Sequence, residues 1–368
     1  MNNNREKNVD EMAEALYGGA QLNSERLHLR LGECNLRLLS NSAELIEGLK
    51  GYFAHVVTGA AEPDIEVIAI EREAPELGIE FIDWKREPGK TGRKDSYFDF
   101  PEGRLVRKVR TGMVFLQSSG PCIAAGPCCQ YDNQVINFIN AEYMNWLQHR
   151  NWLICHAAAL VHQGRGLGIA GFSGGGKSTL MLHLLEQPEV RYLTNDRLFI
   201  KPQGAATQAA GIPKLPRVNP GTIVHNPRLH SLIPAQERDR LLALPNSELW
   251  ELEEKYDVFI DQVYGEDRII QEAPLDAFLV LNWSRESSEE TRVDVVDITQ
   301  RRELLGAIMK SPGPFYQYSD GSFFQDTTSL DEEAYLAALD GITVYEVKGG
   351  VDFDTLCRLS IGILHHET

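Results

Sequence analysis

GFSGGGKSTL, residues 171–180, sets a lysine and a serine behind a run of glycine and serine. Gly171, Gly176, Lys177 and Ser178 meet the spacing G-x-x-x-x-G-K-[ST] in full. Residues of this kind serve the holding of a polyphosphate. Glycines allow successive backbone N–H groups to turn toward one point, and a helix starting just behind them adds partial positive charge. Gly171, Ser173, Gly174, Gly175, Gly176, Lys177, Ser178 and Thr179 are therefore the candidate nucleotide-binding residues. Lys177 is placed to reach the β- and γ-phosphates and Ser178 to ligate Mg²⁺, so ATP and Mg²⁺ are the expected cofactors. The bland alternative is a glycine-rich turn carrying a solvated lysine.

The setting required of such a loop is strand, loop, helix, and both neighbours have that character. GLGIAGF before it is a short apolar run fit for a buried strand, and STLMLHLLEQ after it reads as a helix that Pro188 helps to stop. Beyond the helix, VRYLTNDRLFI is an apolar strand interrupted at Thr194, Asn195 and Asp196. One helix and one strand separate Lys177 from Asp196. The spacing puts Asp196 on a strand next to the loop's own strand, with its carboxylate at the same sheet edge. An acid there suits a kinase in which the carboxylate faces the γ-phosphate and the acceptor hydroxyl, and Asp196 joins Ser178 as a candidate metal ligand. Asn-Asp is also good turn chemistry, so a capping role is the alternative.

Upstream, ICHAAALV and GLGIAGF flank QGRG, which reads as a hairpin running into the loop. A turn centred between Gly164 and Arg165 sets His156 opposite Ser173, beside the phosphates. A satisfied core histidine is the competing reading. Downstream, GIPKLPRVNPGTIVHNP (211–227) carries Pro213, Pro216, Pro220 and Pro227 and reads as a stiff extended loop with Lys214 and Arg217 riding on it. Such a loop could hold Arg217 over a transferring phosphoryl group, where an arginine stabilises developing charge; a solvated surface position is the alternative.

His156, then GFSGGGKS, then a strand ending in Asn195-Asp196, resembles the catalytic core of the HPr kinases, whose pattern is a histidine, a hairpin, a GxSGxGKS loop and a strand ending in two aspartates. The 211–227 segment and ELWELEEKYDV (248–258) resemble the HPr kinase-related proteins of the B group. The resemblance implies Asp196 as base toward the acceptor hydroxyl, His156 as its neighbour and tuner, and Lys177 and Ser178 on ATP and Mg²⁺. It further implies a relation to the phosphoenolpyruvate carboxykinase nucleotide fold, a homo-oligomer, and an ATP-grasp enzyme encoded nearby. Two positions depart from the pattern: Asn195 replaces the first aspartate, and Thr179 the glutamate after the loop serine. The expected activity is transfer of the γ-phosphoryl group of ATP to a hydroxyl, foremost a serine of a protein partner. A small-molecule acceptor, or a sensor that holds ATP without transfer, are the alternatives.

The elements that must position these groups follow from length and patterning. A chain of 368 residues has room for two domains. The expected organisation is α/β: a mobile N-terminus over 1–22, a sheet-rich α+β domain over 23–130, a linking helix over 131–152, and an HPr kinase-like P-loop domain over 153–368. In the first domain, residues 26–39 alternate apolar and polar about Gly32, residues 42–57 space their apolar residues for a helix behind Ser42, and 64–71 and 104–117 return to strand. The remainder supplies strands at 275–283, 292–298 and 341–347, and helices at 301–311 and 353–366.

Hydrophobic residues make up 43% of the chain, and no apolar run has the length of a membrane span. The start of the sequence lacks the apolar stretch of a secretory signal, so a cytoplasmic protein is expected. Asp and Glu outnumber Lys and Arg by 53 to 36, for a formal charge of −17, which argues against a general nucleic-acid surface while leaving room for a small basic pocket. Six cysteines show no metal or disulfide spacing and read as reduced thiols, and His365 and His366 lack partners at metal spacing.

Overall fold

The computed structural model describes residues 7–85, 92–172, 175–204, 206–245, 248–249, 252 and 254–365. It is a mixed α/β chain that divides into two compact units, one of residues 1–151 and 311–329, the other of residues 152–310 and 330–368. Among the described residues no helix is long and apolar enough to cross a membrane.

The first unit is built on an eight-stranded sheet in the order β1-β2-β3-β8-β7-β6-β5-β4. Its strands are β1 (Arg26–Leu31), β2 (Cys34–Ser40), β3 (Ile65–Glu71), β4 (Ile82–Asp83), β5 (Asp95–Phe100), β6 (Gly103–Lys108), β7 (Val114–Ser118) and β8 (Cys122–Gly126). Helix α1 (Val9–Tyr17) precedes them, α2 (Ala43–Tyr52) follows β2, and α3 (Asp132–Gln148) follows β8. As expected, Ser42 caps α2, its hydroxyl accepting from the N–H of Leu45 at 3.2 Å.

Three sequence expectations for this region are corrected. The N-terminus is not mobile throughout. Val9–Tyr17 is a helix capped by Asn8 that buries Met12 and Leu16, a spacing of four that puts both on one helix face; residues 1–6 lie outside the described residues. The helix expected to link the domains belongs to the first unit, with Val135, Ile136, Phe138 and Ile139 buried in it. Residues 311–329 also join this unit rather than the kinase-like region. The fully buried Arg104 pairs with Asp99 and donates to the carbonyls of Pro314 and Phe324 at 3.0 and 2.9 Å, so a desolvated cation is satisfied only when that distant segment returns.

The second unit holds a nine-stranded sheet. Its strands are β9 (Leu153–Cys155), β10 (Ala157–His162), β11 (Arg165–Gly171), β12 (Val190–Thr194), β13 (Leu198–Gln203), β14 (Ala206–Gly211), β17 (Glu272–Leu281), β18 (Arg292–Val296) and β19 (Thr343–Lys348). The order is β12-β10-β11-β17-β14-β13-β9, with β19 also on β17 and β18 on β19. β15 (Arg217–Val218) and β16 (Tyr256–Asp257) form a separate two-stranded pair. The helices are α4 (Lys177–Leu184), α5 (Pro220–Val224), α6 (Ala235–Leu242), α7 (Ile260–Tyr264), α8 (Leu305–Ile308), α9 (Glu332–Leu339) and α10 (Phe353–His365).

Alternation along the central strands covers both faces of this sheet. Leu279 and Leu281 of β17 join Leu167, Ile169, Leu180 and Leu356 in one cluster, while Phe278 and Val280 join Ala170, Leu305 and Tyr335 in the other. Fully burying a leucine or phenylalanine contributes ~1.5–3 kcal/mol, so these two clusters are a main source of the unit's stability. The proline-rich segment is not extended throughout: Pro220 starts α5 at the first helical position, where its missing N–H costs nothing. Within 248–258, Tyr256–Asp257 is strand, and the helix expected over 301–311 is reduced to one 3₁₀ turn and α8.

Candidate active site

The β10–β11 hairpin turns on Gln163 and Gly164, both at positive φ (49° and 81°), between the paired residues His162 and Arg165. Two central residues at positive φ define the type I′ turn whose twist suits a tight hairpin. The expected register is therefore shifted: Ala157 pairs with Ala170, so His156 falls beside the end of β11 at Gly171 rather than opposite Ser173. Ser173 and Gly174 lie outside the described residues.

Asp196 does not lie on a strand next to the loop's strand. Its strand β12 pairs with β10, which stands between β12 and β11. Because β10 is antiparallel to both, β12 and β11 run the same way and their carboxyl ends share one sheet edge. Three chain crossings thus meet there: the end of β11 with the glycine loop, the start of β10 with His156, and the end of β12 with Asp196. Open α/β sheets bind ligands at this edge.

Helix α4 begins at Lys177 directly behind Gly176, whose φ is 86° and which supplies no side-chain cap. The first-turn N–H groups of α4 consequently have no side-chain acceptor at Gly176 and point out of the sheet edge, a ready cradle for an anion. A Cβ on Gly176 would meet Phe353 at 2.6 Å and one on Gly175 the Phe172 carbonyl at 2.9 Å, so glycine is required at both positions. Trp283 donates its Nε1–H to the Gly175 carbonyl at 2.9 Å and packs edge-on against Phe353, with ring centroids 5.1 Å apart. Lys177 Nζ donates to the Gly171 carbonyl at 3.2 Å, which folds the ammonium back over the loop. Ser178 is half-buried, and the Thr179 hydroxyl meets that of Thr222 at 3.3 Å, tying α4 to α5.

His156 Nε2 lies 3.1 Å from Asp196 Oδ1, while its backbone N–H donates to the Ile308 carbonyl at 2.7 Å. Arg197 Nη1 donates to the Asp196 carbonyl at 3.0 Å and pairs with Oδ2. Burial opposes the charge on Asp196, but Arg197, the His156 hydrogen bond and Lys310 outweigh it and hold the carboxyl well below the usual carboxylate range. Its side chain keeps 45% of its surface exposed, so a substrate group can reach it. Burial lowers the proton affinity of Lys177; Asp196 works the other way, and Lys310 and Arg197 add to the lowering. Lys177 and Asp196 therefore lie in one electrostatic cluster.

Arg217 is engaged by a different carboxylate. Its Nε lies 3.2 Å from Asp257 Oδ1 and its Nη2 donates to the Lys255 carbonyl at 3.1 Å, across the β15–β16 pair. Sequence reading missed Arg197, Lys310, Trp283 and Phe353. Arg197 adjoins Asp196 and was open to inspection; the other three come from distant segments that carry no motif. His365, read as ordinary, stacks on His162 with ring centroids 4.4 Å apart, and His366 lies outside the described residues. A cavity of about 440 Å³ lined by Gln163, Gly164, Glu189, Arg191 and Pro274 lies at the hairpin-turn end of the sheet, opposite the glycine loop.

The residues fit a nucleotide carrying its own metal. Among the described residues no three His, Cys, Asp or Glu side chains are grouped to hold a cation, and Mg²⁺ ordinarily comes with substrate phosphates and one or two carboxylates. Asn195 Oδ1 is buried beside Asp196 without a hydrogen-bond partner, an acceptor suited to a metal-bound water or a hydroxyl.

No protein-family model matches this sequence, and no curated protein matches it closely enough to name a relative. Among solved structures, the HPr(Ser) kinase/phosphatase from Coxiella burnetii is similar at 12% identity over 58% of this chain and 94% of that one, with a TM-score of 0.27. Agreement at that level is a weak likeness, and the reading of the site rests on its own geometry.

Proposed function

We propose that this protein is an ATP- and Mg²⁺-dependent kinase that transfers the γ-phosphoryl group to a hydroxyl. The observation that carries the reading is the meeting of Asp196, paired with His156 at 3.1 Å, and Lys177 of the glycine loop at one sheet edge. ATP would supply the transferable phosphoryl group, and Mg²⁺, held by Ser178 and Asp196 with the phosphates, would neutralise charge on it. Gly175 and Gly176 admit the phosphates close to the backbone, the uncapped start of α4 offers N–H donors, and Lys177 swings from the Gly171 carbonyl to the γ-phosphate.

The depressed pKa of Asp196 shapes its role. A carboxylate held ionised by Arg197 and His156 accepts a hydrogen bond from the acceptor hydroxyl and orients it. It takes the proton only as transfer nears completion, as a loose transition state allows. His156 fixes the carboxylate's orientation. Arg217, engaged by Asp257, holds β15 against β16 and is a positioning residue. Single-turnover transfer from γ-labelled ATP into host lysate, with wild type beside Lys177→Ala, tests the proposal: label must enter protein or small molecules in the first and not in the second. The Arg197 clamp on Asp196 also favours a second reading, a nucleotide sensor that binds Mg·ATP without transfer; its signature is tight binding with no label moved.

A further inference from the structure

Three parallel strands, β11, β17 and β19, end at the sheet edge that carries the glycine loop, with Gly171 paired to Leu281 and Leu281 to Val347. Near that edge β19 places a carboxylate inside the protein. Glu346 is fully buried, and both of its oxygens are engaged. Arg301 donates to Oε2 and Oε1 at 2.5 and 2.7 Å, and Lys348 Nζ lies 3.1 Å from Oε2. The remaining donor is Asn282, whose Nδ2 reaches Oε1 at 2.8 Å.

A buried carboxylate is a poor source of stability, because desolvation offsets most of its attraction to its partners and apolar side chains of like volume often serve as well. What it does supply is direction. Asn282 is the first residue beyond β17, and the next residue, Trp283, donates its indole N–H to the Gly175 carbonyl at 2.9 Å. Backbone bonds bracket Trp283: the N–H of Asn282 donates to the Val347 carbonyl and that of Ser284 to the Gly349 carbonyl, each at 3.0 Å. The same indole packs edge-on against Phe353, the ring that lies against Gly176. A continuous path of contacts thus runs from Arg301 and Lys348 through Glu346, Asn282 and Trp283 to the two glycines ahead of Lys177.

We propose that Glu346 is a positioning residue for the phosphate loop: by holding the Asn282 side chain it fixes the indole of Trp283 in the place that sets Gly175 and Gly176. Arg301 and Lys348 neutralise the carboxylate so that it can remain buried while Oε1 holds Asn282. The consequence for nucleotide binding rests on the kinase reading, whereas the effect of Glu346 on the loop does not.

Asn282→Asp keeps the shape of the side chain and turns its donor into a second carboxylate facing Glu346, so it breaks this link and leaves the Arg301 and Lys348 pairs in place. Amide hydrogen exchange of the peptide that carries Gly175 and Gly176, read without nucleotide, should quicken about three- to tenfold, as loss of one hydrogen bond implies, while β17 stays protected. Trp283→Phe should quicken it likewise, and the double variant should do no more than the larger single change, because both act along one path. Combining Asn282→Asp with Glu346→Gln exchanges donor and acceptor and should return the loop toward wild type, a rescue that general loosening of the sheet would not give. Calorimetric titration with Mg²⁺ and a non-hydrolysable ATP analogue should show affinity falling by a similar factor in the single variants. Wild-type exchange in Asn282→Asp, additive effects in the double variant, or a folded exchanged pair no better than Asn282→Asp alone overturns the role of Glu346. A wild type that does not bind the analogue sinks the kinase reading instead, and the exchange measurements still decide whether Glu346 sets the loop.

Discussion

His156 Nε2 stands 3.1 Å from Asp196 Oδ1, where the start of β10 and the end of β12 meet. The ring donates to a carboxylate whose other oxygen pairs with Arg197, so the carboxylate is held from two sides. Asp196→Asn preserves the shape and removes the proton acceptor. Transfer should fall by about 10²- to 10⁴-fold, and Mg·ATP affinity by the smaller factor that one lost metal ligand implies, because Ser178, Lys177 and the loop remain. A single-turnover assay with γ-labelled ATP reads both quantities, and an undiminished rate removes Asp196 from the transfer step.

Lys177→Ala takes away the loop's only ammonium and leaves its backbone donors. Mg·ATP binding should weaken by at least about tenfold, since a charge-assisted hydrogen bond contributes roughly 1.5–3 kcal/mol. Calorimetric titration decides it, and wild-type affinity in the variant would show that the loop does not hold the phosphates.

Gly176 is required for two separable reasons, its φ of 86° and the 2.6 Å approach of a Cβ to the Phe353 ring. Gly176→Ala should lower stability and nucleotide affinity together. Adding Phe353→Leu should recover the part due to the clash and leave the backbone part, ~1–2 kcal/mol for a residue held in the left-handed region. Urea unfolding of the single and double variants separates the two contributions; full recovery would mean that backbone conformation contributes nothing.

In the first unit, Glu142 is 5% exposed, and its carboxyl receives hydrogen bonds from Gln117 Nε2 at 3.1 Å and Cys122 Sγ at 3.3 Å. Burial pushes its pKa up to about 7, with those two donors only partly offsetting. The folded value exceeds the unfolded one, so the unfolded chain releases its proton first. Stability from this group is full at acid pH, falls as pH rises from the unfolded value near 4.5 toward 7, and stays low above it. The loss is up to ~3 kcal/mol. Glu142→Gln should flatten the fall between pH 5 and pH 8 in urea unfolding; an unchanged slope would assign the dependence elsewhere.

The sequence by itself determined the local units. Glycine spacing before Lys177, alternation in β1 and β2, the apolar runs of β10 and β11, and the Ser42 cap with the helical spacing behind it are all set by neighbours along the chain, where backbone sterics and periodicity act. It also named Lys177, His156 and Asp196 as residues to watch. Only the tertiary structure decided how these units meet. The turn at Gln163-Gly164 fixed the hairpin register, the sheet order put β10 between β11 and β12, and the buried guanidinium of Arg104 drew residues 311–329 into the first unit. Lys310, Trp283 and Phe353 reach the candidate site from segments that carry no motif of their own. Their positions depend on which apolar faces are buried together and which charges must be satisfied away from water, and no local pattern encodes either.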